Sequence, residues 1–279
     1  ILVLPKARLV SNLRSLLHYI RTNRPDVIHC HGARANMYGW LLQRYTSVPM
    51  VTTIHSDPEL DYLGRPMADR TFGRINKRSL LRFRDFICVS DAMRDIMQSR
   101  GIAPEQLHVI YNGIDMQAVS AVQTRESFLK SSGVHFRSDS VIFGVAARLS
   151  PVKDIPTLIA AFARAVKQYP QALLLIAGDG DSRTELEQLA RDSLPRGSYA
   201  FLGWLTDVDS FYGAIDVNVL TSLSETFPYA LTEGGRMRCA TLATRVGGIP
   251  HMVIDGQTGL LFDPGDVGCL AQYICRMEE

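Results

Sequence analysis

Glu225 and Glu233 stand eight positions apart in the second half of this 279-residue chain, and Arg148 and Lys153 stand five apart upstream of them. A guanidinium fork and a mobile ammonium at that spacing suit two adjoining phosphates. They would also neutralise charge growing on a departing diphosphate. A carboxylate accepts hydrogen bonds from sugar or ribose hydroxyls. Together these residue types describe recognition of a compound bearing both phosphates and hydroxyls. The residues alone leave a plainer reading open. In it Glu225 caps a helix start, Glu233 is solvated, and the two cations are surface charges.

The elements that carry these residues leave both readings open. Residues 216–221 (DVNVLT) form a buried-strand pattern, a helix is expected over 229–238, and a second strand over 241–246 ends in Gly247-Gly248. Glu225 then sits where a strand's carboxyl end meets a helix amino end. Open parallel sheets bind ligands at that edge, and helix amino ends favour anions. Arg148 closes a strand at 141–147, and Lys153 follows Pro151 just ahead of a helix at 155–169.

The same alternation runs through the chain. Strand patterns fall at 26–31, 49–55, 86–90 and 107–111, then at 141–147, 172–177, 199–202, 216–221, 241–246 and 259–262. Helical periodicity fills 8–22, 34–45, 67–84, 91–99, 155–169, 183–193 and 266–277. Strand–helix alternation argues for an α/β protein with parallel sheets. The break near 120–140 divides it into residues 1–130 and 131–279, two Rossmann-like domains expected to face one another across a cleft. In the first half, His29 and His31 share one face of a strand by alternation, and His55 ends the next strand. A histidine there can orient a hydroxyl and titrates near neutral pH. Ser90 is placed to cap the helix at 91–99.

The segment Glu225-Thr-Phe-Pro-Tyr-Ala-Leu-Thr-Glu233 resembles the Glu-x7-Glu signature of retaining glycosyltransferases of family 4, and Val246-Gly-Gly-Ile-Pro250 is similar to the segment downstream of that signature in the family. Arg148 and Lys153 resemble the family's Arg…Lys pair, and residues 29–32 its HxHG-type strand end. The resemblance implies the GT-B fold, a nucleotide-sugar donor (UDP-linked being favoured) and a glycan or lipid-linked acceptor, with cell-surface polysaccharide synthesis as the family's common setting. It places Arg148 and Lys153 on the diphosphate and Glu233 on the ribose. Glu225, with amides around Phe227 and Tyr229, would hold the transferred sugar, and His55 would face the donor. Gly178 and Gly180 would let the base approach the backbone, with backbone groups at Trp204 and Leu205 also against the base. The DxD letters at 179–181 fall in the family's Gly-Asp-Gly turn, which does no metal work, so neither metal nor other cofactor is expected. Three departures stand out. Asp154 replaces a frequent Gly, Arg236-Met-Arg-Cys-Ala240 replaces a turn rich in Gly and Pro, and His251 stands where an acid is common. The resemblance also implies that both ends of a longer enzyme are missing.

Composition narrows the alternatives. Hydrophobic residues make up 46% and charged residues 21%, as in ordinary globular chains. No apolar run reaches membrane-span length. The five cysteines, odd in number and without CxxC, read as reduced core thiols of a cytoplasmic protein. Residues 1–138 carry 19 Lys/Arg against 11 Asp/Glu, and 139–279 carry 11 against 17. The basic excess peaks at 65–84, where seven cations face only Asp69. That stretch suits peripheral contact with an anionic membrane, a solvated helix face being the plainer alternative. Zinc spacings and stacking aromatics are missing, which argues against nucleic acid. A sugar-nucleotide epimerase, a phosphorylase and an inactive nucleotide-sugar-binding module remain as rival readings.

Overall fold

The computed structural model describes residues 8–57, 73–117 and 123–278. The chain forms two compact units, residues 1–111 and 112–279. This division falls earlier than residue 130 for a physical reason. The helix at 125–131 buries Phe128 and Leu129 among Phe211 and Ile142, and Arg125 grips both oxygens of Asp216, at 2.6 and 2.9 Å. Residues 125–131 therefore belong with the second unit.

The first unit contains α1 (Leu9–Asn23), β1 (Ile28–His31), α2 (Gly32–Leu42), β2 (Met50–Ile54), α3 (Arg74–Leu80), β3 (Asp85–Cys88), α4 (Asp91–Ser99) and β4 (Leu107–Val109). Its sheet has the order β1-β2-β3-β4, with every pairing parallel. Ser90 caps α4 as expected, its hydroxyl accepting from the Met93 amide at 3.1 Å. Of the helix expected at 67–84, residues 67–72 lie outside the described residues. Its far end stops at Leu80, because the chain must turn to bring Phe83 into the core, where it is 3% exposed. Cys30 and Cys88 fill the same core. All five cysteines are free thiols, and burial pushes those of Cys30, Cys88 and Cys239 up to about 11.

The second unit runs α5 (Arg125–Ser131), β5 (Ile142–Ala146), α6 (Ile155–Ala165), β6 (Leu173–Ala177), α7 (Arg183–Ser193), β7 (Tyr199–Gly203), α8 (Val208–Ala214), β8 (Val217–Leu220), α9 (Tyr229–Arg236), β9 (Ala240–Thr244), α10 (Ile249–Met252), β10 (Leu260–Phe262) and α11 (Val267–Glu278). β6 reads LLLIA and β8 VNVL, buried at every position. Such strands need cover on both faces, which parallel sheets receive from their crossover helices. α6 ends at Ala165, short of 169, because the amides of Gln168 and Tyr169 both turn back to the Ala165 carbonyl. The short helix α8 has no periodic signal in the sequence. Ser210, Phe211, Tyr212 and Ala214 are all buried, so it has no polar stripe to betray it.

The sheet order is β10-β9-β8-β5-β6-β7, again all parallel. The chain winds outward from β5 through β6 and β7, then returns to lay β8 on the other side of β5. The direction of winding thus reverses between β5 and β8. Their carboxyl ends lie side by side, and the loops leaving them meet at the position where doubly wound sheets bind ligands.

Candidate functional site

The loop leaving β5 carries Lys153 and the loop leaving β8 carries Glu225. The Lys153 ammonium donates to Glu225 Oε1 at 2.5 Å, across 72 residues of sequence. Glu225 Oε1 also accepts from the Ser222 hydroxyl at 2.7 Å. The carboxylate is 10% exposed and the ammonium 23%. The surrounding backbone is stitched together. The Leu223 amide donates to the Val152 carbonyl at 2.8 Å, and the Thr221 hydroxyl to the Lys153 carbonyl at 2.9 Å. From the neighbouring strand, the Thr244 hydroxyl donates to the Ser222 carbonyl at 2.7 Å. The Gly248 amide reaches the Glu225 carbonyl at 3.1 Å.

Gly247 is required for that last contact. Its φ is +50°, and a Cβ built there would lie 1.7 Å from the Glu225 carbonyl oxygen. No side chain fits. Asp154, which departs from the resembling family, adopts φ +45° and ψ +45°. Aspartate tolerates this left-handed conformation better than most residues, and its carboxylate accepts from the Thr157 hydroxyl at 2.7 Å. The loop shape that a glycine would allow is thereby kept.

Glu233 stands half-buried on α9. The helix is seated by Asn218 in the middle of β8, whose amide donates to the Ala230 carbonyl at 2.8 Å. Gly234 makes room for that seat, since a Cβ there would meet Asn218 Nδ2 at 2.6 Å. A polar residue inside the apolar DVNVLT run is the one sequence signal that could have singled out Asn218. Burial holds the Glu233 carboxyl above its ordinary value. The Arg236 cation lowers it, Asp209 raises it, and the Tyr212 hydroxyl lowers it.

The two arginines after Glu233 take roles that sequence could not assign. Arg236 turns inward and pairs with Asp209 of α8, both side chains being 11% exposed. It also donates to the Asp115 carbonyl at 3.1 Å. Arg238 adopts φ +65°. The Arg238 amide bonds the Gly235 carbonyl at 3.0 Å and the Cys239 amide bonds the Gly234 carbonyl at 2.9 Å, the Schellman pattern of a helix end. The backbone course is the one a glycine would follow, at a cost. Arg238→Gly should therefore raise the stability of the protein by about 1 kcal/mol, read as a higher denaturant midpoint at unchanged m value.

The other expected residues are more dispersed. Arg148 is exposed beyond β5, and no side-chain partner holds it among the described residues. Phe227 is half-buried, and Tyr229 is 46% exposed at the first position of α9. Gly178 spends its amide on the Gly203 carbonyl at 2.7 Å. Leu205 is half-buried against the core beside Phe211, while Trp204 is 75% exposed.

In the first unit the carboxyl ends of β1 and β2 gather three imidazoles. His31 Nδ1 lies 2.9 Å from His55 Nε2, and His29 Nε2 lies 2.7 Å from the Thr53 hydroxyl. The rings of His29 and His31 are 4.1 Å apart, in keeping with their placement on one strand face. Burial first, then His31 and His29, hold His55 below the ordinary histidine value. No group of three or more His, Cys, Asp or Glu among the described residues is arranged to hold a metal ion. No helix among them is long and apolar enough to cross a membrane.

Comparison with known proteins places the two units in known families. The family model described as Glycosyl transferases group 1 matches residues 129–279, and that of Glycosyltransferase Family 4 matches residues 3–118. The UDP-Gal:alpha-D-GlcNAc-diphosphoundecaprenol alpha-1,3-galactosyltransferase of Escherichia coli is 23% identical over 97% of this chain and 70% of its own length. The D-inositol 3-phosphate glycosyltransferase of Corynebacterium kroppenstedtii is 28% identical over 90% of this chain and 59% of its own. The chain thus spans 59% to 70% of these relatives. Among solved structures, Anabaena HepE in complex with UDP-glucose superposes with a TM-score of 0.82 at 25% identity, covering 96% of this chain and 72% of that one. With two α/β units of parallel sheet, a matching family model over each, and acid and base joined at the switch point of the second, the chain belongs to the group 1 glycosyl transferases, a GT-B glycosyltransferase of the family 4 type.

Proposed function

We propose that this glycosyltransferase moves a hexose from a UDP-sugar to a hydroxyl on a sugar or lipid-linked sugar, with retention at the anomeric carbon and without a metal ion. The observation that carries the proposal is the Lys153–Glu225 pair at the winding reversal of the second unit's sheet. Lysine offers three protons and Glu225 takes one, so the ammonium can bridge the transferred sugar's carboxylate partner and the diphosphate. Arg148, exposed at the end of β5, adds the second phosphate contact, and the two cations take the place of a metal against the leaving group's charge. Glu225 and the amides near Phe227 and Tyr229 hold the sugar (Pro228 has no N–H to give), and Glu233 accepts from the ribose. At Gly178 the missing side chain makes room for the Ala147 carbonyl, which a Cβ would meet at 1.8 Å. Its amide is already used, so contact with the base is left to Leu205 in this proposal. His55, tethered by His31, orients the reacting hydroxyls.

No residue is assigned as a covalent nucleophile. The sugar leaves and is attacked from the same face, with the departing phosphate taking the acceptor's proton. HepE bound to UDP-glucose and the galactosyltransferase named for UDP-Gal support the choice of base. The test is the anomeric configuration of the product, followed by NMR in the presence of a chelator. Retention at undiminished rate is expected. Inversion, a metal requirement, or an isomerised sugar released without acceptor would each overturn a stated part of the proposal.

A peripheral contact with anionic lipid is part of the same reading. On and after α3, Arg74, Lys77, Arg78, Arg82 and Arg84 are exposed, with Leu81 70% exposed among them. Arg65 and Arg70, from the same basic stretch, lie outside the described residues. Sedimentation with phosphatidylglycerol vesicles, but not phosphatidylcholine ones, is expected, falling as salt is raised.

A further inference from the structure

We infer that Asp209, Arg236 and Tyr212 form a seat that orients the Glu233 carboxylate, and so are positioning residues for nucleotide recognition. The inference rests on the assignment of Glu233 to the ribose hydroxyls. A carboxylate bridging two vicinal hydroxyls must hold both oxygens in a set plane. The terminal torsion of glutamate is broad, so that plane has to be imposed by neighbours.

Three groups are placed to impose it. Arg236 lies three residues beyond Glu233 on α9, on the same face of the helix. It is itself held at both ends, by the Asp209 carboxylate and by the Asp115 carbonyl at 3.1 Å. Tyr212 is fully buried, and its hydroxyl has no hydrogen bond of proper geometry although it faces Glu233. A buried hydroxyl without a partner costs free energy, and a phenylalanine would fill the same core space without that cost. A carboxylate close by, able to accept from it after a small rotation, gives the hydroxyl a purpose. Asp209 and Tyr212 stand three apart on α8, so this one short helix presents two of the three groups.

Electrostatics supplies an independent readout. Among the described residues, the charged and titratable groups facing Glu233 are Arg236 on its own helix and Asp209 and Tyr212 on α8, with Cys239 beyond Tyr212. Glu233 must be ionised to accept from both hydroxyls. Its carboxyl is already held high by burial, and Arg236 opposes that. Removing the arginine's charge therefore moves the acid loss of UDP affinity to higher pH. A role confined to packing would leave that pH unchanged.

The experiment compares calorimetric affinities for UDP and 2′,3′-dideoxyuridine diphosphate. Wild type is expected to prefer UDP by roughly tenfold or more, the worth of hydrogen bonds to a charged group. Glu233→Ala should erase the preference. Asp209→Asn and Tyr212→Phe should cut it severalfold while affinity for the dideoxy compound stays, and Arg236→Met should shift the acid limb upward. Should Arg236→Met fail to fold, Tyr212→Phe decides, since it removes only a hydroxyl. Full preference in both Asp209→Asn and Tyr212→Phe overturns the seat while leaving the ribose assignment intact. Full preference in Glu233→Ala overturns the ribose assignment, and the seat falls with it.

Discussion

Lys153→Ala should weaken UDP binding by about 100-fold, an effect expected when one partner of a desolvated charge pair is removed. Two losses combine. The diphosphate of the proposed donor loses a cation, and Glu225, only 10% exposed, is left as an uncompensated carboxylate beside the proposed diphosphate position. The variant therefore replaces attraction with repulsion. Glu225→Gln separates these effects. It frees the Lys153 ammonium for phosphate and removes the nearby negative charge, so UDP should bind as tightly as before or more tightly. Turnover should nevertheless collapse, because the transferred sugar exchanges a charged acceptor with two oxygens for a neutral amide that has one acceptor and a donor in place of the other. Calorimetric titration with UDP, GDP and ADP, without metal, checks both and identifies the base. Unchanged UDP affinity in Lys153→Ala would remove Lys153 from the donor site.

Gly247→Ala is expected to cost about 3 kcal/mol of stability, since strain at positive φ and overpacking act together. The added Cβ would be placed 1.7 Å from the Glu225 carbonyl oxygen. The loop cannot keep its course. The Gly248 amide, now 3.1 Å from that carbonyl, would be pulled away with it. Glu225 would then move away from Lys153, and turnover of a UDP-sugar should fall by about two orders of magnitude for a displacement near 1 Å. Chemical denaturation measures the first effect and single-turnover kinetics the second. Glu225→Gln should reproduce only the second, because it leaves the backbone intact.

Much of this protein is legible in its sequence. Buried parallel strands such as LLLIA and VNVL are runs that few other settings accept, and the helices between them follow apolar spacing. The Ser90 cap, Glu225 after β8, the cations after β5 and the paired glycines after β9 all sit between or at the ends of elements, where residue type has a local cause. These local signals also carry the family resemblance. α8 is not legible, because a helix buried nearly all round has no stripe. The role of Asn218 is not legible either, because its partner, the Ala230 carbonyl, arrives only when α9 packs down on β8.

By itself, then, the sequence determined the strands, most of the helices between them, their order, and which charged side chains end up near strand and helix termini. Only the tertiary structure decided that β8 returns to pair with β5, bringing Glu225 against Lys153 across 72 residues. It also decided that Arg236 turns inward to Asp209 instead of out to solvent. Periodicity is a local property and is blind to strand partners, whereas parallel pairing and the burial of a charge each depend on groups distant in the chain.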